Sequence, residues 1–401
     1  MSRMPVSVPF VLLDDARVEG RRPLMLYRNP VEQIMARTLD EVRPALAKLR
    51  EGQARGLHAA GYLAYEAGLA LEPKLARIDA RQGVEDAPLL WFGLFEQAEE
   101  LDEAALDALL GQGPGQGEAT PATPEPLVDQ QGYEAAFDRV HEHIVAGDIY
   151  QANFTFPCRV RVGDDPLAFY RTIRPRAAAG HGALVFTGTH WLLSFSPELF
   201  FQLEGRALTT RPMKGTALRS PDPVVDRAYA EELASDPKQR AENLMIVDLL
   251  RNDLSRIAEP GSVQVPHLFT VESYPTVHQM VSTVTGRLAD GLGAADALEA
   301  LFPCGSITGA PKIRAMEIIH EVERYPRGAY TGSIGVIEPG GNALFNVAIR
   351  TICVKDGAQD GMIGLGSGLV VDSIAANEWH ECLDKGRFLS FPLAGDADER
   401  G

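Results

Sequence analysis

Residues 344–371, LFNVAIRTICVKDGAQDGMIGLGSGLVV, decide the fold class. Leu344 to Val354 and Met362 to Val371 are apolar and β-branched, and the KDGAQDG between them carries Asp-Gly turn signals. A hairpin is the economical reading, since Asp-Gly supplies the positive φ that a tight turn requires. Upstream, Trp191 to Phe195 and Leu199 to Leu203 read as further strands, followed by long helical patterns. Strands and helices do not alternate strictly as in βαβ units, so the class is α+β. No repeat at a solenoid or propeller period is present.

The hairpin belongs to a chain of 401 residues, 45% hydrophobic and 23% charged, which is normal globular composition. Lys plus Arg number 38 against 55 Asp plus Glu, a formal charge of -17. That balance repels phosphate backbones and anionic lipid, so nucleic acid and membrane surfaces are not expected partners. An anionic metabolite would have to be held by local cations or a metal. Cys158, Cys304, Cys353 and Cys382 form no C-x-x-C pair, which fits reduced cytosol better than a disulfide framework or zinc knuckle. The opening MSRMPVSVPFVLLDD lacks the pattern of a secretory signal, and no run approaches the roughly 18 apolar residues of a membrane span. A soluble, cytoplasmic, unprocessed protein is expected.

One compositional break divides the chain. Gly111 to Gln130, GQGPGQGEATPATPEPLVDQ, loses all hydrophobic period and reads as a flexible linker over 111–130. Residues 1–110 contain strand-like stretches at Gly61 to Tyr65 and Leu89 to Phe95 and a helical pattern from Glu32 to Leu49, with no catalytic cluster. They read as scaffold contributing to the same fold. The polar groups that could do chemistry lie in 131–395.

Asp236-Pro237 opens a helix, with the aspartate as cap and proline at the first helical position; Leu244, Val247, Leu250, Leu254 and Ile257 follow at helical spacing. Met245, Ile246 and Leu249 make its other side apolar too, so Glu242 is a carboxylate at a buried surface. An ion pair and a metal or catalytic role both remain open there. Asp372-Ser373 is read as the cap of a second helix on which Glu378 and Glu381 share a face, with Lys385 placed to pair Glu381. A solvated face is the ordinary explanation, whereas two converging acidic helices could hold magnesium. Ile363 to Gly368, IGLGSG, could aim bare backbone at an anion or could be a tightly packed strand. The GAPK at 309–312 lacks the spacing of a Walker loop. In TRPMKGT, 210–216, Lys214 between Pro212 and Gly215 is either a loop lysine or, if desolvated or beside another cation, a neutral amine able to attack carbon. His278 and Glu198 are candidate proton carriers, each with a structural alternative.

Taken in order, these segments resemble the chorismate-utilising enzymes, the family that includes anthranilate, aminodeoxychorismate, isochorismate and salicylate synthases. The resemblance rests on GDIYQANFTF (147–156), SPELFF (196–201), TRPMKGT, KQRAENLMIVDLLRNDLSRI (238–257), GSITGAPKIRAMEII (305–319), AIR (348–350) and GLGSGLVVDSIAANEWHECLDK (364–385). It is dense from Asp129 to Leu393 and loose before that, through VPFVLLDD. It implies a fold like that of anthranilate synthase component I: two antiparallel sheets packed as a sandwich core with helices outside. Residues 131–395 would then be the chorismate-binding catalytic domain.

Two positions separate the family's chemistries. Water-adding members carry a general-base lysine where this chain has Gln151, and an amide cannot take that proton. Anthranilate synthases carry alanine in a P-I-A-G-T motif; here the motif is PMKGT, as in the P-I-K-G-T of the branch forming 4-amino-4-deoxychorismate for 4-aminobenzoate and folate. The resemblance therefore implies amination of chorismate through a covalent Lys214 intermediate, with Glu198 and His278 moving protons. It implies Mg2+ on Glu242 and Glu381 with Glu378 nearby, and substrate contacts from Gly215, Thr216, Tyr330, Arg350, Gly366, Ser367 and Gly368. No Cys-His-Glu glutaminase motif is seen, so ammonia from a separate glutamine amidotransferase subunit is expected. Anthranilate synthesis and a non-catalytic chorismate or aromatic amino acid sensor are the alternatives.

Overall fold

The computed structural model describes residues 8–17, 20–78, 86–111, 122–274 and 277–390. Antiparallel pairing organises the chain into two sheets. One runs Gly309–Ala310, Gln151–Arg161, Asp360–Leu369, Thr351–Lys355, His190–Ser194, Gly182–Phe186, Phe10–Asp14, Leu24–Arg28, Glu99–Leu101. The other runs Met213–Leu218, Val277–Arg287, Ala207–Arg211, Leu199–Glu204, Ala343–Asn346, Ser333–Ile337, His58–Leu63, Leu90–Phe95, Glu32–Ala36. Residues before 111 enter both sheets, Phe10–Asp14 beside Gly182–Phe186 and His58–Leu63 beside Ser333–Ile337.

The apolar residues explain the layering. Val11, Val185 and Leu192 of the first sheet pack with Tyr62, Trp91 and Ile334 of the second between the two faces. Outside the second sheet, Leu46 and Leu49 of helix Leu39–Ala54 and Ile246, Leu250 and Leu254 of helix Pro237–Ser255 close another core. Outside the first sheet, Tyr133, Phe137, Ile318 and Trp379, from three helices, close a third around Phe154 and Phe156. This is an α+β sandwich with helices on both outer surfaces.

Three local expectations need correction. The helical pattern from Glu32 to Leu49 is a strand, Glu32–Ala36, followed by helix Leu39–Ala54. Pairing with Leu90–Phe95 buries Ile34 and Ala36, and the Thr38–Glu41 capping box starts the helix only after them. The stretch from Leu344 to Val354 is two strands in different sheets, Ala343–Asn346 and Thr351–Lys355, with the chain crossing between them. The second of these forms the expected hairpin, pairing Ile352 with Ile363. Finally, helix Ala375–Lys385 is not capped by Asp372 or Ser373: Ile374 is the capping residue, and Ser373 Oγ donates to Glu378 Oε1 at 2.7 Å. Residues 112–121 of the expected linker lie outside the described residues; beyond them Glu125–Pro126 pairs with Cys158 and Arg159, and Asp129 caps helix Gln130–Val145.

A buried charge node joins the two parts of the chain. The edge of strand Gln151–Arg161 is paired at its start by Gly309–Ala310 and near its end by Glu125–Pro126, and side chains close the gap between them. Glu323 Oε1 accepts from Thr155 N at 2.8 Å, and Arg327 donates to Asn153 O, Ile307 O and both Glu323 oxygens. Glu66, from the N-terminal part, accepts from the backbone N–H groups of Arg327 and Gly328. Arg327 stacks over the Tyr65 ring at 4.4 Å. Removing one member of such a set strands a buried charge. Arg327→Met is therefore expected to lower stability by about 3–5 kcal/mol in urea unfolding; a change below about 1 kcal/mol would show that the node does not bear on the fold.

Candidate active site

Lys214 lies where strand Met213–Leu218 loses its ladder. Met213 pairs with Val281 and Thr216 with Gln279, so Lys214 and Gly215 bulge between the paired positions. Gly215 has φ +93°, a conformation that L side chains rarely adopt. A bulge re-aims the side chain it carries. Here Lys214 Nζ comes within 3.2 Å of the point where a Cβ on Gly368 would stand, and Gln151 Nε2 within 2.7 Å of the same point. Gly364, Gly366 and Gly368 share this face of strand Asp360–Leu369 by alternation. The strand thus presents bare backbone where the lysine arrives.

The electrostatics suit a reactive amine. Burial pushes the Lys214 amine below its ordinary pKa and nearby Lys385 adds to that, while Glu198, Glu242 and Glu381 oppose. Glu198 is 4% exposed. Burial raises its carboxyl to about 7, opposed by Ser306, Lys214 and the Met213 backbone. Its Oε1 has no hydrogen-bond partner among the described residues, nor has Gln151 Oε1. Of these two buried acceptors near the amine only the Glu198 carboxylate can take a proton.

Glu242, at the lysine end of helix Pro237–Ser255, is half-buried with no hydrogen bond or ion pair among the described residues. Burial raises its carboxyl, Lys214 and Lys238 lower it, and Glu381 and Glu378 raise it again. The two acidic helices thus bring their carboxylates within mutual range. For Glu381, burial works upward, but Lys385, at 2.8 Å, with Lys214 and Lys238, leaves the carboxyl below its usual range. The described residues contain no group of three or more metal-ligating side chains close enough to form a cage. Magnesium needs none, since it takes one or two carboxylates and fills its octahedron with water and substrate oxygens. The orphaned Glu242 beside Glu381 fits that donor set.

The other expected residues divide. Arg350 sits at the crossing between the sheets with φ +50°. Its guanidinium lies over the Phe388 ring at 5.7 Å, within electrostatic range of Tyr274, and makes no hydrogen bond or ion pair among the described residues, so it is available to a carboxylate. Tyr330 packs its ring over Gly364, one end of the glycine face, while Gly368 is at the lysine end. Ser367 points to the opposite face, beside Tyr133 and the Cys382 thiol. Thr216 is exposed and donates to Gln279 Oε1 at 3.0 Å.

His278 is not brought to Lys214: its ring nitrogens meet Ser273 Oγ at 2.9 Å and Asp226 Oδ1 at 3.0 Å. Its hydrogen bonds reach neither Glu198 nor the glycine strand. Sequence reasoning missed Asn243, whose Nδ2 donates to Lys214 O, and Gln279. It paired Lys385 with Glu381 but missed its second bond, from Nζ to Gly366 O at 3.0 Å. The GAPK lysine, Lys312, is structural, donating to Leu301 O and Pro303 O beside Asp253. A cavity of about 960 Å³ lies against Tyr330 and Gly364, at the far end of the glycine face from Lys214.

This arrangement can be set beside known proteins. Residues 9–390 match the family described as chorismate binding enzyme. The chain belongs to that family. It is 45% identical over 258 residues to aminodeoxychorismate synthase component 1 of Klebsiella aerogenes, covering 64% of this chain and 57% of that protein. It is 41% identical over 272 residues to anthranilate synthase component 1 of Methanothermobacter thermautotrophicus, covering 67% and 58%. The chain thus spans little more than half the length of these relatives. In structure it resembles anthranilate synthase component I from Streptococcus pneumoniae, with TM-score 0.79 and 27% identity over 98% of this chain and 94% of that one. The expected fold is therefore the observed one.

The glycine face of this family member can be tested at two positions. A methyl at Gly368 meets only the ends of two flexible side chains, so Gly368→Ala is expected to keep the unfolding midpoint while weakening turnover of chorismate. A methyl at Gly364 falls 2.0 Å from the buried Tyr330 ring, so Gly364→Ala is expected to cost about 1–3 kcal/mol by overpacking. Parallel thermal melts and chorismate-consumption assays separate the two; equal stability losses would contradict the assignment of faces.

Proposed function

We propose that this chain aminates chorismate to 4-amino-4-deoxychorismate, as the component 1 of an aminodeoxychorismate synthase. The observation that carries the reading is Lys214 itself, part-buried on a bulge, facing Gly368 and Gln151, with Glu198 in its field. An isolated loop lysine would show neither the depressed basicity nor the close approach to a glycine of the facing strand.

In this reading Arg350 takes a substrate carboxylate through its unpaired guanidinium. Glu242 and Glu381, with Glu378 nearby, would hold Mg2+, which when bound supplies positive charge for a substrate carboxylate. Glu198, as carboxylate, takes the proton that Lys214 must lose. The neutral amine bonds to ring carbon 2, the ring double bonds shift, and the hydroxyl on carbon 4 leaves as water with the proton that Glu198 had taken. Ammonia then adds at carbon 4, the double bonds shift back, and the bond to Lys214 breaks. Gln151 has an amide where a water-adding enzyme needs a base, so water is not activated. Ammonia would come from a separate glutamine amidotransferase subunit. Resemblance to relatives of that printed name supports the assignment.

The test is product identification from purified chain, chorismate, Mg2+ and ammonium chloride. The expected product is 4-amino-4-deoxychorismate, lost at least about 100-fold in Lys214→Ala; fluorescent anthranilate as main product would overturn the reading. A pH series at constant free ammonia adds a second check. Because Glu198 must be ionised to accept a proton and titrates at about 7, kcat/KM for chorismate is expected to fall as pH drops below about 7. Glu198→Gln should lower the rate and flatten that limb; an unchanged limb would remove Glu198 from the proton path.

A further inference from the structure

Neighbouring residues of a strand point to opposite faces, so His278 and Gln279 cannot both serve the substrate side of strand Val277–Arg287. Register decides between them. Thr216 pairs with Gln279 and Ala217 with His278, and residues directly opposite in an antiparallel ladder share a face. Gln279 therefore stands on the face of Thr216. His278 stands on the other, together with Met280 and Ser282, where Ser282 Oγ donates to Asn243 of helix Pro237–Ser255.

The hydrogen bonds follow the register. His278 joins Ser273 to Asp226 of helix Pro223–Ser235, and Asp226 is also held by Arg219. That chain fastens an outer helix whose only buried residue among those described is Leu233. Gln279 instead donates from Nε2 to Gly215 O at 2.7 Å and accepts from Thr216 Oγ1 at 3.0 Å. Its amide spans the two residues that follow Lys214. The bulge has no ladder bonds of its own at Lys214 and Gly215, so it is held from one side by Asn243 Nδ2 on Lys214 O, at 3.3 Å, and from the other by Gln279.

We infer that Gln279, not His278, is the residue of this strand that serves the reaction, as a positioning residue: its two hydrogen bonds fix the Gly215–Thr216 backbone and thereby the approach of Lys214. The inference rests on the reading of Lys214 as the reacting amine. It also means that no imidazole on this strand assists the departing hydroxyl. An amide does not titrate, so no histidine limb from this strand enters the pH profile.

Gln279→Leu, which keeps side-chain bulk and removes both bonds, is expected to lower kcat about tenfold or more with KM for chorismate changed less than about threefold. Gln279→His, which restores a donor toward Gly215 O, should recover part of the loss. His278→Gln should lower the melting temperature and leave the shape of the pH profile as in the wild type. Full kcat in Gln279→Leu, or loss of a pH limb in folded His278→Gln, overturns the inference. Labelling of Lys214 by trinitrobenzenesulfonate, followed by peptide mass spectrometry, reads the same effect without turnover. A labelling rate changed at least about threefold by Gln279→Leu supports positioning, and an unchanged rate contradicts it. Wild-type protein that consumes no chorismate with ammonium would refute the amination reading alone, since the labelling arm still decides the role of Gln279.

Discussion

Holding the Lys214 cation part-buried beside a second cation is the constraint around which this part of the fold is arranged. A part-buried ammonium beside a second cation, Lys385, is costly, and the two together shift the lysine toward its neutral form while Glu198, Glu242 and Glu381 oppose the shift. The bulge at Lys214–Gly215 re-aims the side chain, and the absence of a side chain at Gly368 lets the lysine and Gln151 approach the facing strand. Each feature has little use without the others. A side chain at 368 would stand where the Lys214 amine and the Gln151 amide arrive.

The sheets supply the rigidity such a site needs. Glu66, Glu323 and Arg327 close the unpaired edge of strand Gln151–Arg161, the strand that carries Gln151 to the lysine. Residues before 111 are thus part of the frame, through Glu66 and through their strands in both sheets. The 960 Å³ cavity beyond Tyr330 opens on this same edge, away from Lys214.

Much of this was legible in the sequence, and the residues show why. Asp236-Pro237 announces its helix because cap and first-turn chemistry is local, and Asp236 does accept from Gln239 N. The 351–369 hairpin is equally local. What failed depended on partners distant in the chain. Ile34 and Ala36 fit a helical period, and only pairing with Leu90–Phe95 makes them strand. The 344–354 run looks continuous because both of its strands are buried, and nothing apolar marks the change of sheet at Arg350. Convergence of Lys214, Glu198, Glu242 and Glu381 was suggested by resemblance, and spacing alone left each open. His278 and Gln279 show the limit most clearly: the histidine is the more reactive residue, but register, set by a bulge across the sheet, puts the glutamine beside Lys214.

Covalent attachment of Lys214 to chorismate is the step on which the proposed amination turns. Chorismate and Mg2+, incubated with the chain in the absence of ammonia and quenched in acid, should leave a peptide containing Lys214 heavier by chorismate less one water, and ammonia added before the quench should discharge it. A peptide that stays unmodified while the same protein aminates chorismate at full rate would contradict the account.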